Sequence, residues 1–226
     1  MKEILGDHPA FMDTEHSSPR NYKKVLYILR HGETDYNQKG IVQGRGVNTD
    51  LNDTGRQQAQ KFFEAHKHIH FDKIYTSTLK RTHQTVAYFL DKGIAWEQHS
   101  GLDELDWGEN EGRPNSPDVQ NSFHSITGMW TEGNYEVRFP GGESPLDVSE
   151  RQREALQHIL SKEDEQHVLV CMHGRAMRIL LCQLTNLELR NMDSFIHQNT
   201  SLYKLGFDGE RFELLAFNSI DHLEDL

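Results

Sequence analysis

Two short apolar runs in this chain end in the same dipeptide. Val25-Leu26-Tyr27-Ile28-Leu29 leads into Arg30-His31-Gly32, and Val168-Leu169-Val170-Cys171-Met172 leads into His173-Gly174. Runs of about five aliphatic and β-branched residues read as strands covered on both faces, the pattern of a parallel sheet. In open α/β sheets, ligands bind beyond the carboxyl ends of such strands. Two histidines arriving at that edge predict one site assembled from distant parts of the sequence.

The 226 residues suffice for one well-buried α/β domain and are few for two. Residues 1–22 read as a polar N-terminal extension without the apolar core of a signal peptide. Residues 23–226 read as a single domain. No apolar segment reaches the about 20 residues of a membrane span, and a cytoplasmic location is expected. A net charge of −11 argues against nucleic acid or an anionic membrane as partner. An anionic substrate then has to be drawn by a local positive pocket. The two cysteines, Cys171 and Cys182, read as buried thiols.

The expected architecture is a three-layer α/β sandwich: a mostly parallel central sheet, helices on both faces and an antiparallel edge hairpin. Strands are expected at 24–30, 74–77, 93–99 and 167–172. Helices are expected from Asn52, a plausible N-cap, to about His66, from Leu79 to Leu90, from Ser144-Pro145 to about Ser161, and from Gly174 to Leu184. Residues 201–207 and 211–217, joined by Asp208-Gly209, read as the hairpin. Between about 101 and 142 the periodicity weakens, and this stretch reads as a small inserted cap. Trp107 and Trp130 read as packing of that cap.

Arg30-His31-Gly32-Glu33-Thr34 carries the strongest chemical signal. Backbone N–H groups beside a glycine, together with a guanidinium, can face one small anion. Nearby positive charge disfavours imidazolium, so His31 stays neutral and can attack phosphorus. His66, His68 and His70 alternate, but no carboxylate or cysteine accompanies them at ligand spacing, and no metal site is expected.

The run Arg30 to Thr34 resembles the signature of the histidine phosphatase superfamily, which includes the phosphoglycerate mutases. Three further segments are similar to that family in order: Ser77-Thr78-Leu79-Lys80-Arg81 with Gln84-Thr85; Leu102-Asp103-Glu104 followed by Gly108 and Glu111-Gly112; and Met172-His173-Gly174. The resemblance spans residues 25 to about 217. It implies that His31 becomes phosphorylated while Arg30, Arg81 and His173 hold the peripheral oxygens. Glu104 would protonate the leaving oxygen and later take a proton from water. By the same analogy, Thr34, Asn37, Gln43 and Gly44 line the phosphate side, and Gly174 adds backbone donors. No metal and no cofactor are implied.

Within the family a mutase needs extra positive charge for a second phosphoryl group. Between Leu105 and Glu143 only Arg113 and Arg138 are basic, against six acidic residues: Asp106, Glu109, Glu111, Asp118, Glu132 and Glu136. Phe139-Pro140-Gly141-Gly142-Glu143-Ser144 resembles the phosphatase branch. The expected activity is hydrolysis of small phosphomonoesters, the partner being a small phosphorylated substrate. The alternatives are a cofactor-dependent mutase and a non-catalytic phosphate- or protein-binding module; the latter would have no need of Glu104. The natural substrate and the oligomeric state stay open.

Overall fold

The alternation within the first apolar run decides how the layers stack. In β1 (Lys24–Arg30), Leu26 and Ile28 point into one core, and Val25, Tyr27 and Leu29 into another. With apolar side chains on both sides, the strand has to sit inside a sheet covered on two faces. The computed structural model describes residues 21–224. Most of the expected N-terminal extension therefore lies outside the described residues.

Along the chain, β1 is followed by the one-turn helix α1 (Asp35–Gln38), α2 (Asp53–His66), β2 (Lys73–Thr76), α3 (Lys80–Thr85), α4 (Ala87–Leu90) and β3 (Trp96–Gln98). Then come α5 (Pro117–Thr131), α6 (Pro145–Leu160), β4 (His167–Met172), α7 (Gly174–Leu184), β5 (Leu202–Phe207) and β6 (Phe212–Ser219). The six strands are ordered β3-β2-β4-β1-β5-β6. The first four in that order run parallel; β5 is antiparallel to β1, and β6 to β5. The expected sandwich and edge hairpin are both present, with Gly209 at φ +113° closing the hairpin turn.

Phe62, Phe63, Phe71 and Phe89 cover one face of the sheet, carried by α2, α4 and the entry to β2. On the other face, Val148, Ala155 and Ile159 of α6 and Ala176, Met177, Ile179 and Leu180 of α7 pack with Trp107, Trp130 and Phe139. Both tryptophans thus belong to the main core. Cys171 and Cys182 are buried free thiols.

Local sequence explains most helix ends. Asn52 accepts from Gly55 N–H at 2.8 Å to cap α2. Ser144 and Asp147 form a reciprocal capping box on α6, with Pro145 in the first turn. The expected single helix from Leu79 to Leu90 is instead two pieces, interrupted at Val86 (φ −102°, ψ 7°). Thr85 accounts for the break. Its hydroxyl donates back to Arg81 O at 2.7 Å, a contact that bends helices, and also accepts from Gly32 N–H at 2.9 Å.

The stretch from 101 to 142 has more regular structure than its weak periodicity predicts. It contains α5, opened by Ser116 as N-cap and Pro117 in the first turn.

Candidate active site

Register brings the two histidines together. Arg30 pairs with Met172 across β1 and β4, so both strands release a histidine at the same height. Their ring centroids lie 5.2 Å apart. Thr76 of β2 pairs with Cys171, which places Ser77 and the start of α3 beside the same edge. Gly32 is required by the path: a Cβ there would stand 2.6 Å from Gly55 O.

His31 is 3% exposed. Its Nδ1 lies 2.7 Å from Gly32 O, an oxygen that can only accept. Nδ1 therefore carries the proton, and Nε2 keeps its lone pair. Burial first, then Arg81 and Arg30, hold His31 well below the ordinary histidine range, so the ring is neutral.

Two guanidinium groups flank it in different states of engagement. Arg81 is fully buried; it donates from Nη1 to Val47 O at 2.6 Å, from Nη2 to Gly44 O at 3.3 Å and from Nε to His173 Nδ1 at 3.2 Å. The Arg30 guanidinium makes no hydrogen bond among the described residues, and its Nε is buried without a partner, while the Arg30 backbone bonds Ser201 O and Thr200 N–H. Burial draws both groups down to about 10, which leaves them cationic at neutral pH. A neutral imidazole thus lies beside a guanidinium without a hydrogen-bond partner among the described residues.

Glu104 reaches the site from the loop after β3. Its Oε1 accepts from Leu105 N–H at 2.9 Å and Ala176 N–H at 2.8 Å, and its Oε2 from Arg175 N–H at 3.1 Å. His173, at the N-cap position of α7, offers no side-chain cap. Glu104 supplies that cap from another part of the chain, at the positive end of the helix dipole. Arg151 fixes the Glu104 loop by donating to the carbonyls of Gly101 and Asp103 at 2.9 Å each and of Glu104 at 3.0 Å. It also forms a two-pronged pair with Glu143 at 2.9 Å on each arm.

The remaining pocket residues divide into two groups. Thr34, Asn37 and Gln43 organise the loop behind His31. Thr34 Oγ1 accepts from Gln43 Nε2 at 2.7 Å and from Asn37 N–H at 3.1 Å. Asn37 Oδ1 accepts from Asn199 Nδ2, which also donates to His31 O at 3.0 Å. Gly44 and Gly174 make room instead. A Cβ on Gly44 would stand 1.8 Å from Glu111 Oε1, and one on Gly174 would stand 2.6 Å from His197 Cε1. Burial raises the Glu111 carboxyl above the usual range. Arg45, a candidate for contact with the non-phosphate part of a substrate, bridges Asp103 at 3.2 Å and Glu143 at 3.3 Å.

Sequence reasoning missed His197, Asn199 and Arg151 as members of this neighbourhood, and had Ser77 only as the start of the motif that places Arg81. His197 packs against Gly174 and Arg30 with its Nδ1 buried and unpartnered, and burial and then Arg30 push its pKa far down. An isolated histidine or serine carries no periodic signal. Asn199 was findable only as a polar residue just ahead of an apolar strand. Among the described residues, no group of three or more His, Cys, Asp or Glu converges to hold a metal ion. No helix among the described residues is long and apolar enough to cross a membrane.

This geometry agrees with what the chain is similar to. The model for the histidine phosphatase superfamily, branch 1, matches residues 26–220, and the chain belongs to that family. Phosphoserine phosphatase 1 of Hydrogenobacter thermophilus is 29% identical over 199 residues, covering 88% of this chain and 93% of the relative. Phosphoglycerate mutase-like protein 4 of Arabidopsis thaliana is 28% identical, covering 91% of this chain and 89% of its own. Among solved structures, a mycobacterial glucosyl-3-phosphoglycerate phosphatase superposes with a TM-score of 0.77 at 25% identity, covering 87% of this chain and 99% of that one. Membership, with phosphatases among the relatives, supports phosphatase activity in general.

Proposed function

We propose that the protein hydrolyses small phosphomonoesters through a covalent phosphohistidine on His31, without a metal. The observation that carries this reading is the His31 Nδ1 contact with Gly32 O at 2.7 Å, which leaves Nε2 unprotonated beside the unengaged Arg30. The Nε2 lone pair forms a bond to phosphorus as the ester P–O bond breaks. Glu104 relays the proton brought by the monoanionic ester to the leaving oxygen. Water then attacks phosphorus, passes a proton to the Glu104 carboxylate, and the N–P electron pair returns to Nε2.

Charge spreading over the peripheral oxygens is met by Arg30, Arg81, His173 and the Gly174 N–H, the Arg175 and Ala176 amides of α7 being held by Glu104. Thr34, Gln43 and Gly44 shape that side of the pocket. Asn37 has only its Oδ1 and backbone engaged among the described residues, so its Nδ2 is free to donate.

The arginines of the 101–142 stretch favour hydrolysis over mutase chemistry. Arg113 is drawn to Asn110 Oδ1 at 3.2 Å and Arg138 to Asp147 at 2.7 Å. Arg138 is thus paired with a carboxylate, and Arg113 alone is not the cluster of cations that a second phosphoryl group needs.

The test is hydrolysis of an aryl phosphate in the presence of EDTA, with vanadate as inhibitor, followed by a monoester panel including phosphoserine and glucosyl-3-phosphoglycerate. Turnover abolished in His31→Ala supports the reading. Inertness of the wild type across the panel, or phosphoglycerate mutase activity that needs a bisphosphate primer and far exceeds hydrolysis, overturns it.

A further inference from the structure

His197 is a buried histidine that the proposed chemistry leaves unused. It lies ahead of β5 in the chain and rests on Gly174, the first residue of α7. A Cβ built on Gly174 would stand 2.6 Å from His197 Cε1, 2.9 Å from His197 Nε2 and 3.4 Å from Arg30 Nε. The imidazole edge and the Arg30 guanidinium therefore lie together over the residue that opens the helix. His197 is also near enough to His31 for its charge to bear on that ring.

Neither the His197 ring nor the Arg30 guanidinium has a hydrogen-bond partner among the described residues. Arg30 Nε and His197 Nδ1 are sealed from water in that state. The terminal nitrogens of Arg30 and His197 Nε2 are not sealed, so these are the ends that open toward a ligand. Burial, then the charges of Arg30, Arg178 and Arg175, push His197 down to about 2, so the ring is neutral and holds one proton. With that proton on Nδ1, an N–H would be sealed without an acceptor, a rarer arrangement than a lone pair without a donor. Nε2 is then the protonated nitrogen.

These two neighbours share one kind of complement. Guanidinium N–H groups only donate, and so does Nε2–H. Beside a cation, the acceptor that suits both is an anionic oxygen, for which charge-assisted bonds are short and strong. Arg175 and Arg178, the other cations around His197, both hold Asp193 Oδ1. Arg30 is the cation left for that oxygen.

We propose that His197 is a further substrate-binding residue: its Nε2–H donates to a peripheral phosphoryl oxygen that Arg30 also holds. That the oxygen belongs to a phosphoryl group rests on the phosphatase reading; the donor at Nε2 stands without it.

The test measures the affinity of the full chain for inorganic phosphate and vanadate by calorimetry, beside KM for an aryl phosphate. His197→Phe keeps a ring over Gly174 without a donor, His197→Ala keeps neither, and His197→Gln restores an N–H near the place of Nε2. All three constants should rise at least about tenfold in the phenylalanine and alanine variants, the size of one hydrogen bond to a charged partner. In His197→Gln they should stay within about threefold of the wild type. If the alanine variant does not fold, the phenylalanine and glutamine pair carries the comparison. In the wild type with 15N-labelled histidine, the His197 ring is identified by its loss in His197→Gln. It should be protonated on Nε2 near neutral pH and should shift when vanadate binds.

Wild-type phosphate affinity in His197→Phe would make the ring a packing element and overturn the proposal. So would a loss in His197→Gln equal to that in His197→Phe, a proton on Nδ1 in the wild type, or a loss confined to esters with a second acidic group. Turnover with all three constants unmoved by any substitution would overturn this assignment and leave the phosphatase reading standing. Phosphate binding that depends on His197 in a protein inert toward every ester would sink the phosphatase reading and leave this assignment intact.

Discussion

Replacing Glu104 by glutamine separates the capping role that the structure shows for this carboxylate from the acid role proposed for it. Three backbone N–H groups converge on it, those of Leu105 and Ala176 on Oε1 and that of Arg175 on Oε2. Glutamine keeps one acceptor oxygen for the first two and turns an NH2 group toward Arg175 N–H, now 3.1 Å away with no acceptor between. A buried unsatisfied donor costs about 1–3 kcal/mol, and loss of a negative charge at a helix N-terminus about 1 kcal/mol more. The expected destabilisation in urea unfolding is therefore about 2–4 kcal/mol.

Catalysis should fall separately. Loss of the proton donor is expected to cost about 10²–10⁴ in rate. The loss should be greatest for alkyl esters and least for aryl esters, whose oxygen leaves without help. Kinetics on a leaving-group series at a temperature where the variant is folded would read this. A destabilisation under ~0.5 kcal/mol, the range of ordinary surface substitutions, would refute the capping argument. A rate loss equal across leaving groups would refute the acid role.

Arg151→Met should destabilise by about 1–3 kcal/mol, because half-buried Glu143 loses its two-pronged partner and keeps only Arg45 and Asp106 N–H; it should also lower kcat by loosening the Glu104 loop, both measurable on one preparation. Gly44→Ala is expected to lose activity and stability together, since a Cβ would stand 1.8 Å from Glu111 Oε1 and 2.6 Å from Leu105 O, and the backbone oxygen cannot step aside. Stability should also depend on pH in a defined window. His31 and His173 have folded pKa values well below their ordinary 6.5. Below that value the unfolded chain binds the protons the folded one refuses. Their contribution is complete above pH 6.5 and is lost as pH falls, by about 1.4 kcal/mol per unit for each ring that stays neutral. Urea unfolding at pH 7.5, 6 and 5 would show it, and a flat profile would contradict it.

The sheet was legible because its apolar runs are short, β-branched and bounded, and the register of Arg30 with Met172 follows from strands that end alike. The arginines and histidines proposed to be catalytic stood out for the same reason: each sits at a strand end or just inside a helix. Helix α5 was overlooked although Ser116-Pro117 carries the same opening signal as Ser144-Pro145. Its apolar residues Val119, Phe123, Ile126 and Trp130 do recur at helical spacing, a signal masked by the polar and Gly-containing stretches on either side. The break at Val86 goes with the Thr85 hydroxyl, which donates back to Arg81 O and accepts from Gly32 N–H, the latter a contact across 53 positions that no local pattern encodes. His197 and Ser77 join the site only through folding, one against Gly174 and the other against His173.

The central claim is that phosphate passes through His31. The direct measurement is to react the wild-type chain with phosphoryl-labelled substrate, quench in alkaline denaturant where an N–P bond survives, and map the label by peptide mass. The account predicts label on His31, absent from His31→Ala and longer-lived when water attack is slowed in Glu104→Gln. Label on His173, or full turnover with no labelled histidine at any time point, would contradict it.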